Sequence, residues 1–101
     1  MRKQLLKLLR GNSTKAERRF AELLKELHIP FQAKVKIGGR EVDFLIGRYA
    51  IEIDGEDAQD VEKNQMLISL GFNPIHLGNW HVSPLLKEWL LLINPKKTDG
   101  N

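Results

Sequence analysis

Glu41, Asp43, Glu52 and Asp54 lie at alternate positions of two short segments, EVDFLI and IEID, on either side of Gly47-Arg48. A period of two marks a strand, and a Gly-X pair between two such runs marks a hairpin turn. With Gly47-Arg48 as a two-residue turn, Asp43 stands opposite Glu52, and Glu41 stands opposite Asp54. The Gly38-Gly39 pair, counted the same way, sets Lys34 opposite Asp43 and Lys36 opposite Glu41. Val35, Ile37, Val42, Phe44, Ile46, Ile51 and Ile53 are then expected to share the other, core-side face. Like charges directly opposite in a sheet repel, with Cβ atoms only about 5 Å apart. A divalent cation removes that repulsion, because Mg²⁺ takes hard oxygen ligands and needs only a few carboxylates plus water. Such an ion lowers the pKa of bound water and offsets charge developing at a phosphate. The competing reading is a meander with one apolar and one charged face, in which Lys34 and Lys36 neutralise Asp43 and Glu41. The residues by themselves leave both open.

The elements around these strands follow from periodicity and punctuation. Arg2–Arg10 carries leucines at 5, 6, 8 and 9 between basic residues and reads as a short helix, broken by Gly11-Asn12-Ser13. Thr14 with Glu17 forms a capping-box pattern for a second helix, whose apolar stripe is Phe20, Leu23, Leu24 and Leu27. His28-Ile29-Pro30 ends it. Strands are expected over 31–37, 40–46 and 49–54, a helix from about Val61 to Leu70 stopped by Gly71, and a strand over 73–77. Gly78-Asn79 makes a turn, and Ser83-Pro84 caps a last helix running to about Ile93. The order is ααβββαβα, an α/β class with one mixed sheet of about four strands flanked by helices. One domain over residues 1–93 is expected, followed by a disordered tail, NPKKTDGN, over 94–101.

Composition narrows the classes. At 101 residues there is room for one modest core. The absence of cysteine excludes disulfides and thiolate metal sites. No apolar run approaches the roughly 20 residues of a membrane span, and the basic start lacks the pattern of a cleaved signal, so an intracellular protein is expected. Charge is unevenly spread: residues 1–30 hold eight Lys/Arg against three Glu, and residues 31–60 hold four against seven Asp/Glu. A basic arm beside an acidic centre suits a protein that grips phosphates at one place and a cation at another.

VDF at 42–44, IEIDG at 51–55 and SLGFNPIHLGNWHV at 69–82, with Glu17 in the opening helix, resemble the PD-(D/E)XK nuclease superfamily. Within it, the chain looks most like the very-short-patch-repair-type and phage homing endonuclease domains, over roughly residues 13 to 92. The resemblance implies a restriction-endonuclease-like fold and an endonuclease that hydrolyses DNA phosphodiesters with Mg²⁺ or Mn²⁺. Asp43 would be the central metal ligand, Glu52 a second, and the backbone carbonyl of Ile53 would assist. Glu17 would approach from its helix. The superfamily usually places Lys where this chain has Asp54, although very-short-patch-like members often carry an acid there. Lys34, Lys36 and Lys63 are the candidates to stand in. These relatives also commonly place a His where Ala58 falls. His28 reads as a helix-end residue, and His76 and His81 are weak substitutes. Asn79 matches a late polar position near the site rim, though a turn asparagine explains it as well. The segment GEDAQD lacks the ligand spacing of a calcium-binding EF-hand.

Arg2, Lys3, Lys7, Arg10, Lys15, Arg18 and Arg19 are the expected phosphate contacts, a sequence-independent and salt-sensitive grip on DNA. Trp80 reads either as a wedge between bases or as a turn tryptophan packed on the last helix. Phe20, Phe44, Phe72 and Trp89 are assigned to the core. Two other readings stand beside the endonuclease: a nuclease-like fold that binds DNA without cutting it, favoured by Ala58 and Asp54, and a homodimeric assembly module pairing through the Arg2–Arg10 helix.

Overall fold

The computed structural model describes residues 15–53, 60–78 and 80–96. The expected first helix, Thr14, Asp54, the GEDAQ segment with Ala58, Asn79 and the last five residues lie outside these. The described chain forms α1 (Lys15–Glu26), β1 (Gln32–Ile37), β2 (Arg40–Ile46), β3 (Tyr49–Glu52), α2 (Val61–Ser69), β4 (Asn73–His76) and α3 (Pro84–Ile93). This is the expected order from the second helix onward, with boundaries shifted by a residue or two.

Local chemistry explains where the helices start and stop. Asp60 caps α2 by accepting from the Lys63 amide at 3.1 Å, and Ser83 caps α3 by accepting from the Leu86 amide at 3.1 Å, with Pro84 in the first turn. Helices α1 and α2 both close in Schellman fashion. Ile29 N–H donates to Leu24 O and His28 N–H to Lys25 O; Phe72 N–H donates to Leu67 O and Gly71 N–H to Ile68 O. The left-handed residue is His28 (φ 58) in one and Gly71 (φ 94) in the other. His28 is thus a helix-end residue, as expected.

The four strands form one sheet in the order β1-β2-β3-β4. The first three are an antiparallel meander and β4 joins β3 in parallel, after the α2 crossover. Gly38 (φ 59) and Gly39 (φ 82) both take the left-handed values of a type I′ turn, and Gly47 (φ 59) alone does so in the second hairpin, as type II′ requires. Lys36 pairs with Glu41, Val35 with Val42, Ile46 with Tyr49 and Phe44 with Ile51, as counted from the turns, whereas the counted pairs Lys34–Asp43 and Asp43–Glu52 are not rungs of the ladder.

The sheet is covered on both faces. On one, Phe20, Leu23 and Leu24 of α1 and Leu90 and Ile93 of α3 pack with Phe44, Ile46, Ile51 and Ile53. On the other, Leu67 and Met66 of α2 pack with Ala50, Leu45, Phe72, Val42 and Ile37. The expectation of a single apolar face shared by all seven β residues is therefore corrected. Ala33 and its partner Phe44 belong to the first core, whereas Val35 and its partner Val42 belong to the second. Between these two rungs stand Lys34 and Asp43, which form no ladder pair. Lys34 has φ 56, the left-handed region that a non-glycine residue avoids. A residue in that conformation breaks the strict two-residue alternation, and the hairpin beyond it changes sides.

Candidate active site

The break in the ladder is where the charged side chains converge. Asp43 is half-buried on β2, and its Oδ2 accepts a hydrogen bond from the Ile53 amide at 2.8 Å. The side chain thereby takes up a backbone donor just past the last regular rung of β2 and β3, Phe44 with Ile51. This contact also fixes Ile53 beside Asp43.

Glu17 comes from the first turn of α1. It is the one buried charged residue among those described, at 6 % exposure. Its Oε1 accepts from Lys34 Nζ at 3.1 Å. Lys34 Nζ is also 3.9 Å from Asp43 Oδ1 and 3.9 Å from Glu41 Oε2, so one ammonium faces three carboxylates from two elements, α1 and β2. Glu17 thus points at the sheet. The expected Thr14 capping partner lies outside the described residues.

Glu52, at the end of β3, turns toward α2, where Lys63 Nζ lies 2.5 Å from its Oε2 and donates to the Glu41 carbonyl at 2.5 Å. Glu52 Oε2 is buried and makes no hydrogen bond among the described residues beyond this ion pair. Lys63 is positioned by the α2 N-terminus, whose capping residue Asp60 is itself held by Arg40. The Lys63 amide and then Arg40 hold the Asp60 carboxyl below its ordinary value.

These carboxylates act on one another. Burial, followed by the neighbouring Glu17 and Glu52, pushes the Asp43 carboxyl from its ordinary 3.8 up to about 6, against the opposing effects of the Ile53 amide and Lys34. A carboxylate held so high resists being charged, and a positive charge brought close to it favours the ionised form.

The parallel strand β4 brings a histidine beside Glu52. His76 is the β4 partner of Glu52 in the parallel ladder, and its Nε2 lies 3.0 Å from Asn64 Oδ1 of α2. The signal for it was hidden, because a parallel register after a crossover is not counted from a turn. His81 is exposed in the loop before α3. Lys36 is exposed and pairs in the ladder with Glu41. Trp80 is packed, edge-on to Phe20 at 5.3 Å, with its Nε1 buried, which corrects the base-wedge reading. Of the expected phosphate contacts, Lys15 and Arg19 are exposed and Arg18 is half-buried on α1, while Arg2, Lys3, Lys7 and Arg10 lie outside the described residues. Asp54 and Ala58 do so too.

The donor set is hard oxygen, the kind that Mg²⁺ and Mn²⁺ accept. Among the described residues, no three His, Asp or Glu side chains stand close enough to hold an ion by themselves. Asp43 and Glu52 are donors of that kind.

No protein-family model matches the sequence, and no curated protein matches it. Among solved structures, the catalytic domain of the homing endonuclease I-Bth0305I superposes with a TM-score of 0.61 at 25% identity, over 80% of this chain and 94% of that one. The chain has a nuclease-like fold. The superposition takes in nearly all of the neighbour's domain, so the likeness is one of overall fold and not of a local motif.

Proposed function

We propose that this chain is a metal-dependent DNA endonuclease domain of the PD-(D/E)XK superfamily, related to the very-short-patch-repair type, which hydrolyses phosphodiesters. The observation that carries the reading is the meeting of Asp43, Glu17 and Glu52 around one break in the sheet of a nuclease-like fold. Asp43 and Glu52 would hold Mg²⁺ or Mn²⁺, with the Ile53 carbonyl, Asp54 and water completing the shell and Glu17 supporting from α1. When bound, such an ion supplies a nucleophilic water and offsets charge on the phosphate.

The chain's own groups do the rest. The Ile53 amide orients Asp43. Lys63 orients Glu52 and brings an ammonium to the site from α2, standing in for the lysine that Asp54 replaces. Lys15, Arg18 and Arg19, with Arg2, Lys3, Lys7 and Arg10, would grip the DNA backbone without reading sequence.

A second reading, a nuclease-like domain that binds DNA without cutting it, is favoured by Ala58 at the expected His position and by the incomplete ligand set among the described residues. Nicking of supercoiled plasmid in Mg²⁺, Mn²⁺ or EDTA separates the two. The endonuclease reading expects metal-dependent nicking that Asp43→Ala abolishes. DNA binding with no nicking in any metal would establish the silent form.

A further inference from the structure

We propose that the Lys34 ammonium is a built-in counter-cation, which neutralises the carboxylate cluster in the metal-free protein and is displaced when a divalent cation enters. The inference rests on the metal site proposed above and concerns what holds that site before metal arrives. Three observations support it. Lys34 Nζ bonds the buried Glu17 at 3.1 Å and lies 3.9 Å from both Asp43 and Glu41, so it stands between the proposed central ligand Asp43 and its support Glu17. Its backbone adopts φ 56 in the middle of a strand, a conformation that costs free energy and persists only where the surroundings impose it. Its side chain is 19 % exposed, whereas Lys36, two residues along the same strand, points into solvent.

The physical argument is one of competing charges. Buried carboxylates without a cation repel one another and are poorly solvated. An ammonium on a flexible four-carbon stem offsets this when the site is empty and can swing away without moving the backbone. A divalent ion offers twice the charge and several coordination bonds, so it can win the exchange at the cost of breaking the Lys34 contacts. Lys34 therefore stabilises the empty protein and weakens its metal affinity.

The test is calorimetric titration of Mn²⁺ into the full chain at low ionic strength, with melting curves in EDTA. The proteins compared are wild type, Lys34→Gln, Lys34→Gly, Asp43→Asn and Lys87→Gln, the last an exposed lysine on α3. The glycine variant accepts φ 56 without strain and guards against a folding defect in the glutamine variant. Both Lys34 variants are expected to bind Mn²⁺ about five- to tenfold tighter than wild type, on the scale of one charge-assisted contact, with Lys87→Gln unchanged. Lys34→Gln should melt lower than wild type in EDTA and gain more from Mn²⁺. Equal or weaker binding by both Lys34 variants, with binding lost in Asp43→Asn, would overturn the exchange and leave the metal site standing. Absence of Mn²⁺ binding in wild type and every variant would overturn both.

Discussion

Replacing Asp43 with asparagine should make the metal-free protein more stable, and the gain should depend on pH. The side chain stays the same size, and an amide oxygen still accepts from Ile53 N–H, so what changes is charge. In the folded chain the Asp43 carboxyl is pushed from 3.8 to about 6, chiefly by burial and then by Glu17 and Glu52. A displacement of that size corresponds to about 3 kcal/mol against the charged form. The side chain retains 17 % exposure and loses Lys34 as a neighbour on substitution, so roughly 1–2 kcal/mol is the realistic gain. The sign follows from linkage: between pH 3.8 and about 6 the folded state binds more protons than the unfolded state, so wild-type stability falls as pH rises through that window. Below 3.8 both states are protonated at this group and the variant has no advantage. Melting followed by circular dichroism in EDTA should give equal Tm values near pH 4 and a gap opening to about 5–10 °C by pH 7.5, using roughly 4–8 °C per kcal/mol for a domain this size. A gap that is absent at pH 7.5, or that persists undiminished to pH 4, would refute the account of Asp43 as a strained charge.

Other expectations follow from the same geometry. Gly38→Ala should lower stability by about 1–3 kcal/mol, because a Cβ there would stand 2.6 Å from Met66 Sδ at φ 59; Gly39→Ala, with open space around it, should cost less in the same denaturant titration. Phe20→Ala removes a fully buried ring that contacts Phe44 at 5.1 Å and Trp80 at 5.3 Å, and urea unfolding should show a loss of about 3–5 kcal/mol. If Lys15 and Arg19 each contact a phosphate, replacing both with glutamine should reduce the salt slope of DNA binding by about 1.8, measured by fluorescence anisotropy across salt concentrations. Ala58→His should raise plasmid nicking in Mn²⁺; unchanged nicking with folding and metal binding intact would argue against a missing general base.

Much of this site was legible because antiparallel hairpins can be counted. Two glycine turns fix which residue faces which, and the pairs Lys36–Glu41, Phe44–Ile51 and Ile46–Tyr49 follow. The stops at His28-Ile29-Pro30 and Gly71 and the cap at Ser83 were equally local. What was not legible depended on packing between distant segments. The left-handed turn of Lys34 has no sequence signature in a lysine, so the change of sides at Val35 and Val42 was hidden. The pairing of His76 with Glu52 depends on how α2 seats the parallel strand. Glu17 reads in the sequence as a cap because its spacing from Thr14 is a local pattern, whereas its buried contact with Lys34 spans 17 residues.

The strand order in space is the strand order in the chain. Each strand therefore closes onto its immediate predecessor, and the entropy lost in each closure is small for the two tight hairpins. The meander β1–β3 can assemble before α2 and β4 dock, which brings Asp43 and Glu52 together while the α2 side is still open to water. Collapse of that face, with Lys63 delivered to Glu52 by the docking helix, then becomes the step at which the charges must be neutralised. Refolding should be slowed most by changes at this docking step, Lys63→Met among them, and least by changes in the hairpin tips distal to it.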